Sequence, residues 1–263
     1  SLGDRNAPTA GYAAHSPEFT TEITTRQRLN SNSDLHTYTG YLGGQFWDGR
    51  EANLVGQAKG PPTNPGEMAM ANRAAVVERI MENSAYVSAF EKLYGAQIFN
   101  DSAAVNPAAY DAMADSIAEF EKTDQFAPFD SKYDRSLKGE YEYSVVSKAI
   151  AGKALFFSKE FTNCSACHQL NTQGSATEVF TGFEYHNIGV PVNNDLRAVN
   201  GAQGPDEGLY KHLKDNLNVD DPTQKGKFKV PTLRNVALTA PYMHNGIFNE
   251  LSTVIKFYQH AKN

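Results

Sequence analysis

Asn163-Cys164-Ser165-Ala166-Cys167-His168 holds both cysteines of this 263-residue chain, with a histidine directly after the second. A structural zinc site wants four ligands, and no second Cys or His pair follows at finger spacing. A thiol redox motif places no demand on the next residue. Covalent attachment of a c-type haem does, because two thioethers fix one edge of the macrocycle and the adjacent imidazole then faces the iron. The motif therefore reads as a haem c on Cys164 and Cys167, with His168 as an axial ligand. Such attachment takes place outside the cytoplasm, so an exported protein is expected, periplasmic or at the cell surface. The plain alternative is a reducible surface disulfide.

Working outward, Val145, Val146, Ile150, Leu155 and Phe156 form an apolar-periodic segment expected to be a helix leading straight into the motif. A helix that delivers the thiols, a loop-rich middle and a later segment with the second ligand make a cytochrome c domain. Upstream, residues 1–70 are rich in Gly, Pro, Asn and Thr and read as long packed loops. From Asn72, the apolar positions Val76, Val77, Ile80, Tyr86, Phe90 and Leu93 predict one or two amphipathic helices ending at Gly95. Asn106-Pro107 predicts a further helix with Asn as cap and Pro at its first position, running through Met113, Ile117 and Phe120. The stretch from Phe126 to Tyr143 reads as an interdomain connection, with the boundary near 143. No alternation is strong enough for a sheet, so the fold class is mainly α.

Composition narrows the function classes. With 40% hydrophobic and 21% charged residues the chain can bury a real core, and its net charge of −6 provides no basic field for nucleic acid or an anionic membrane. A small basic or neutral redox partner fits better. There is no run of about 18 apolar residues to form a transmembrane segment, and residues 1–20 lack the order of a signal peptide, so the chain reads as mature or as a piece.

Arg5-Asn6-Ala7-Pro8-Thr9, Phe46-Trp47-Asp48-Gly49-Arg50, Gln57-Ala58-Lys59-Gly60-Pro61, Asn64-Pro65-Gly66-Glu67-Met68, His186-Asn187-Ile188-Gly189-Val190-Pro191 and Lys229-Val230-Pro231-Thr232-Leu233-Arg234-Asn235 occur in that order around the cysteine motif. In this the chain resembles the bacterial di-haem cytochrome c peroxidases, including the MauG-like enzymes. The resemblance implies two cytochrome c-like domains, 1–143 and 144–263. It also implies a second, peroxidatic haem on a motif upstream of Arg5. The long stretch from Gly11 to Gln45 departs from the family, so substrate does not carry over.

What the resemblance implies for single residues is specific. Glu67 matches a distal general acid and base, with Gln57 and Pro61 as its pocket partners. Read from the residues alone, Glu67 is a solvated loop glutamate. Trp47, the only tryptophan, matches an aromatic between the two haems that relays an electron or shares a hole; without the family it reads as a core aromatic beside Phe46. Tyr258 matches the position of the second axial ligand of the His168 haem, with Met243 as the alternative and an ordinary helix aromatic as the plain reading. A tyrosinate oxygen stabilises oxidised iron, whereas a thioether favours ferrous iron and a high potential. Asn6, Thr239 and Pro241 match a calcium site built from one amide side chain and two backbone carbonyls. His186 and His244 are candidates for the haem edge or for satisfied buried positions. His15, His36, His212 and His260 read as surface residues.

The functions that follow are of different classes. The first is a peroxidase or MauG-like enzyme that uses hydrogen peroxide or high-valent haem iron. Its partner would be a cytochrome c, a cupredoxin or a protein substrate, and a homodimer is its expected assembly. The alternative is a mono-haem electron-transfer cytochrome. A third is a subunit of a larger periplasmic dehydrogenase.

Overall fold

The computed structural model describes residues 3–27, 37–170 and 177–260. Most of its regular structure is helical: α1 (Leu54–Ala58), α2 (Arg73–Met81), α3 (Ser84–Tyr94), α4 (Ala108–Glu121), α5 (Lys132–Leu137), α6 (Lys148–Phe157), α7 (Asn194–Asn200), α8 (Leu209–Leu217) and α9 (Leu251–His260). Many starts are set by one local device. The side-chain oxygens of Asn53, Asn72, Asn83, Ser131, Ser147 and Asn193 each accept a backbone N–H from the first turn of the helix that follows. Those N–H groups have no intrahelical partner, so each cap contributes about 1 kcal/mol.

α4 departs from the expected cap. Pro107, not Asn106, is its N-cap residue, and the carboxylate of Asp101 accepts the Ala108 N–H instead. The Asn106 side chain is turned to Arg73. Val145 and Val146 likewise precede α6 and are exposed, because Ser147 caps the helix after them.

The segment expected to be loops contains a two-stranded antiparallel ribbon, β1 (Thr24–Gln27) with β2 (Thr37–Gly40), in register Thr24 to Gly40 and Gln27 to Thr37. A second ribbon, β3 (Tyr185–His186) with β4 (Phe228–Lys229), ties the His186 segment to the Lys229 segment. The stretch read as a connection holds α5.

Three apolar clusters hold these pieces. Val76 and Val77 of α2 pack on Ala109 and Tyr110 of α4. Phe19 and Tyr41 pack with Tyr185, Leu209 and Leu213, so the first 50 residues share a core with the second half of the chain. Tyr12 packs with Val179 and Phe183, and Phe129 lies against them. Full burial of a side chain of this size is worth about 1.5–3 kcal/mol. Burial thus holds the early loops alongside the β1–β2 ribbon and backbone hydrogen bonds such as Phe19 N–H to the Ala52 carbonyl and Gly43 N–H to the Phe183 carbonyl.

One histidine expected at the surface is not there. His212 is buried with Nδ1 against Asn216, its ring edge-on to Phe19. His15 is exposed, as expected, with its ring beside Tyr12 and Phe129. His212 sits on a helix face that turns inward only when a distant segment closes over it. His36 and the side chain of His260 lie outside the described residues.

Candidate haem-attachment site

The cysteines sit on a tight 3-10 turn, Cys164–Ala166, entered through Asn163 in the left-handed region at φ 50°. The N–H groups of Cys167 and His168 both return to the Cys164 carbonyl, at 3.3 and 3.0 Å. Two half-buried thiols and one imidazole are thereby fixed on consecutive turns. His168 Nδ1 lies 3.0 Å from the Phe180 carbonyl, and the Pro231 carbonyl also faces the ring. Burial pushes the imidazole down to about 4, against the pull of these carbonyls. The ring is thus neutral at neutral pH. With Nδ1–H donating to a carbonyl, Nε2 carries the lone pair, which is the state a metal ligand needs.

A cavity of about 310 Å³ lies beside this turn, lined by Tyr133 of α5, Ile150, Phe156 and Phe157 of α6, and by Phe180 and Leu233. Phe180 joins the two features, since its carbonyl meets His168 while its ring lines the cavity. Tyr258 lies on α9 and is 41% exposed. Its phenol is pushed up to about 12 by partial burial first and then by the charges of Cys167 and Cys164. Met243, the alternative, sits in the turn closed by Gly246 N–H on its own carbonyl. Two thiols, a neutral imidazole, an aromatic cavity and a phenol are a donor set that fits a covalent haem.

A second group forms around Asn6. Its backbone N–H donates to the His244 carbonyl at 2.7 Å, its side-chain amide donates to the Pro241 carbonyl at 2.6 Å, and its own carbonyl accepts the Trp47 indole N–H at 2.9 Å. Asn6 and Pro241 are thus brought together, and Trp47 with them. Thr239 is exposed two residues earlier, with its hydroxyl on the Val236 carbonyl. Asn6 Nδ2 faces Pro241, so a cation here would take Oδ1 after a half-turn of the amide. Trp47 is half-buried, and its carbonyl accepts the Lys229 N–H at 2.8 Å.

Gln57, Pro61 and Glu67 form a third group along α1 and the turns after it. Gln57 and Pro61 are half-buried and Glu67 is exposed, with Oε1 accepting from Asn64 Nδ2 at 3.1 Å. The Tyr110 hydroxyl donates to the Lys59 carbonyl at 2.6 Å and so holds the end of α1 against α4.

Sequence reasoning missed several polar groups. Arg5 is clamped between Asp206, at 2.5 and 2.8 Å, and Asp48. Fully buried Glu184 binds Arg26, Gln169 and His186. Lys229 has its ammonium on Ser16 Oγ and the Gly44 carbonyl, and burial pushes it down to about 7. His244 is buried and stacked on Phe228 at 3.6 Å. Burial also lowers it to about 4. The one signal in the sequence was a charged residue between two apolar neighbours, as Lys229 between Phe228 and Val230 and Glu184 between Phe183 and Tyr185.

Residues 1–142 match the family model described as di-haem cytochrome c peroxidase. The methylamine utilization protein MauG of Paracoccus denitrificans is 44% identical over 261 residues, 98% of this chain and 60% of that protein. The cytochrome c peroxidase Ccp of Escherichia coli is 30% identical over 81% of this chain and 39% of its own length. The crystal structure of the diheme peroxidase BthA from Burkholderia thailandensis superposes with a TM-score of 0.81 at 28% identity, covering 98% of this chain and 58% of that one. The chain thus spans about 60% or less of these relatives. On its sequence and on its mostly helical fold, it belongs to the di-haem cytochrome c peroxidase family.

Proposed function

We propose that this chain is the haem-bearing portion of a peroxidase-type oxidoreductase, with a haem c on Cys164 and Cys167 ligated by His168 and Tyr258. The observation that carries this reading is that both thiols and a neutral His168 sit on one tight turn, with the imidazole held by the carbonyl of Phe180, whose ring lines an aromatic cavity. Bound there, the haem supplies one-electron oxidation and reduction at iron.

The chain's own residues do the rest. His168 offers Nε2 because its Nδ1 is held by a carbonyl, and Tyr258 offers an oxygen that favours the oxidised metal. Phe156, Phe157 and Phe180 line the cavity with apolar rings. Trp47 presents an oxidisable ring whose N–H is fixed on Asn6. Glu67 holds or moves a proton at its carboxylate, with Gln57 and Pro61 shaping the same pocket, towards peroxide at a second haem carried upstream. Asn6, Pro241 and Thr239 offer neutral oxygens to calcium.

In this reading the chain divides near 143 into two cytochrome c-like domains, and the protein is exported, since thioether attachment takes place outside the cytoplasm. No helix among the described residues is long and apolar enough to cross a membrane. Electrons arrive from a small redox protein, a cytochrome c or a cupredoxin, or a protein substrate is oxidised. The test is intact mass of the native polypeptide together with covalent haem content. Two haems on a heavier chain support the reading; one haem on a 263-residue chain makes it an electron-transfer cytochrome.

A further inference from the structure

The carbonyl that meets His168 belongs to Phe180, a non-glycine residue in the left-handed region at φ 55°. That conformation is disfavoured for a bulky side chain, so it persists only where its surroundings impose it. Here they do so on both sides. The Glu178 carbonyl accepts from Arg234 Nε at 2.6 Å, the Val179 carbonyl accepts from Thr232 Oγ1 at 2.7 Å, and Thr181 Oγ1 donates to the Val230 carbonyl at 2.6 Å. Every residue of 178–181 except Phe180 is thus tied to the 230–234 segment, and the Phe180 carbonyl is the one turned to the imidazole. The second carbonyl facing His168, that of Pro231, lies in the middle of the same clamp.

Arg234 is the anchor of the clamp. Its guanidinium makes a bidentate pair with Asp134 of α5, at 2.6 and 2.7 Å, with side chains only 6% and 0% exposed. Phe129, Tyr12 and Phe180 surround it at 4.8, 5.3 and 5.4 Å from their ring centres. Asp134 is itself held by the Ser131 hydroxyl and N–H in a capping box. A planar fork with one edge on a carboxylate and Nε on a carbonyl fixes direction as well as distance, which a lysine does not do.

We infer that the Asp134–Arg234 pair, with Thr232, is a positioning device for the proximal imidazole: it holds the Phe180 carbonyl on His168 Nδ1 and thereby sets the donor strength of Nε2 toward the haem iron. This rests on the haem reading above. A strong Nδ1–H···O bond makes the imidazole a better donor and stabilises the oxidised metal; slackening it raises the potential.

The test uses the full-length, haem-loaded protein with Arg234→Lys, Asp134→Asn and the milder Thr232→Val. Val77→Ala, in the α2–α4 core, serves as a stability control. Each is read by the midpoint potential of the His168 haem, its ferric low-spin EPR signal and its melting temperature. The inference expects the potential to rise and the EPR signal to shift in all three clamp variants, least in Thr232→Val, while Val77→Ala loses melting temperature alone. Clamp variants that lose stability yet keep the wild-type potential and EPR signal overturn it. If Arg234→Lys and Asp134→Asn do not fold, Thr232→Val decides by the same readouts. Absence of covalent haem from the wild-type protein would overturn the haem reading instead, and pyridine haemochrome analysis reports that separately.

Discussion

The indole N–H of Trp47 donates to the backbone carbonyl of Asn6 at 2.9 Å, and the amide of that same asparagine reaches the Pro241 carbonyl. The lone tryptophan and the candidate cation site therefore share one residue.

Trp47→Phe keeps an aromatic ring but leaves the Asn6 carbonyl without its donor. The expected cost is about 1 kcal/mol in urea denaturation. In the full-length protein the variant should also slow electron exchange between haems in single-turnover reaction with peroxide. A variant with wild-type exchange kinetics would remove Trp47 from the route.

Calcium should raise the melting temperature of the wild-type protein in a concentration-dependent way, because a ligand bound only to the folded state stabilises it by mass action. Asn6→Ala is expected to abolish that rise, and EDTA to reverse it. A calcium response that survives Asn6→Ala places the cation elsewhere.

Tyr258→Phe removes the phenol proposed as the second ligand of the haem iron. Attachment through Cys164 and Cys167 should persist, since the thioethers do not involve Tyr258. The midpoint potential of that haem should rise as the oxygen donor is lost. Visible and EPR spectra unchanged from wild type would point to Met243 as the ligand.

Lys229 gives stability a pH dependence. Its ammonium sits on Ser16 Oγ and the Gly44 carbonyl, and among the described residues no carboxylate is salt-bridged to it. Burial lowers it to about 7 from the ordinary value of 10.5, with Asp48 opposing. The folded state thus binds fewer protons than the unfolded one between those values. The penalty is full below pH 7 and lifts as pH rises toward 10.5, so stability should increase by about 3–5 kcal/mol across that window. Urea midpoints from pH 6 to 10 should show the rise, and Lys229→Met should flatten it.

Six consecutive residues, Asn163 to His168, carry the proposed attachment chemistry within the sequence itself, because two thioethers and an imidazole must be neighbours in the chain to meet one macrocycle. The helices after Asn72 and Asn83 were legible for a related reason: a cap and its helix interact over three residues. Helical periodicity also brought out the mainly α class. It missed the short ribbons and the Asp101 cap of α4, which depend on partners outside the local window. The tertiary structure alone decided the rest. The burial of His212, the dry setting that pushes the Tyr258 phenol up, and the clamp of Arg234 on Glu178 and Asp134, 56 and 100 positions away, arise when separate segments close on one another. A guanidinium or a phenol has the same chemistry wherever it stands in the chain; only the fold sets how dry its surroundings are and which carbonyl it meets.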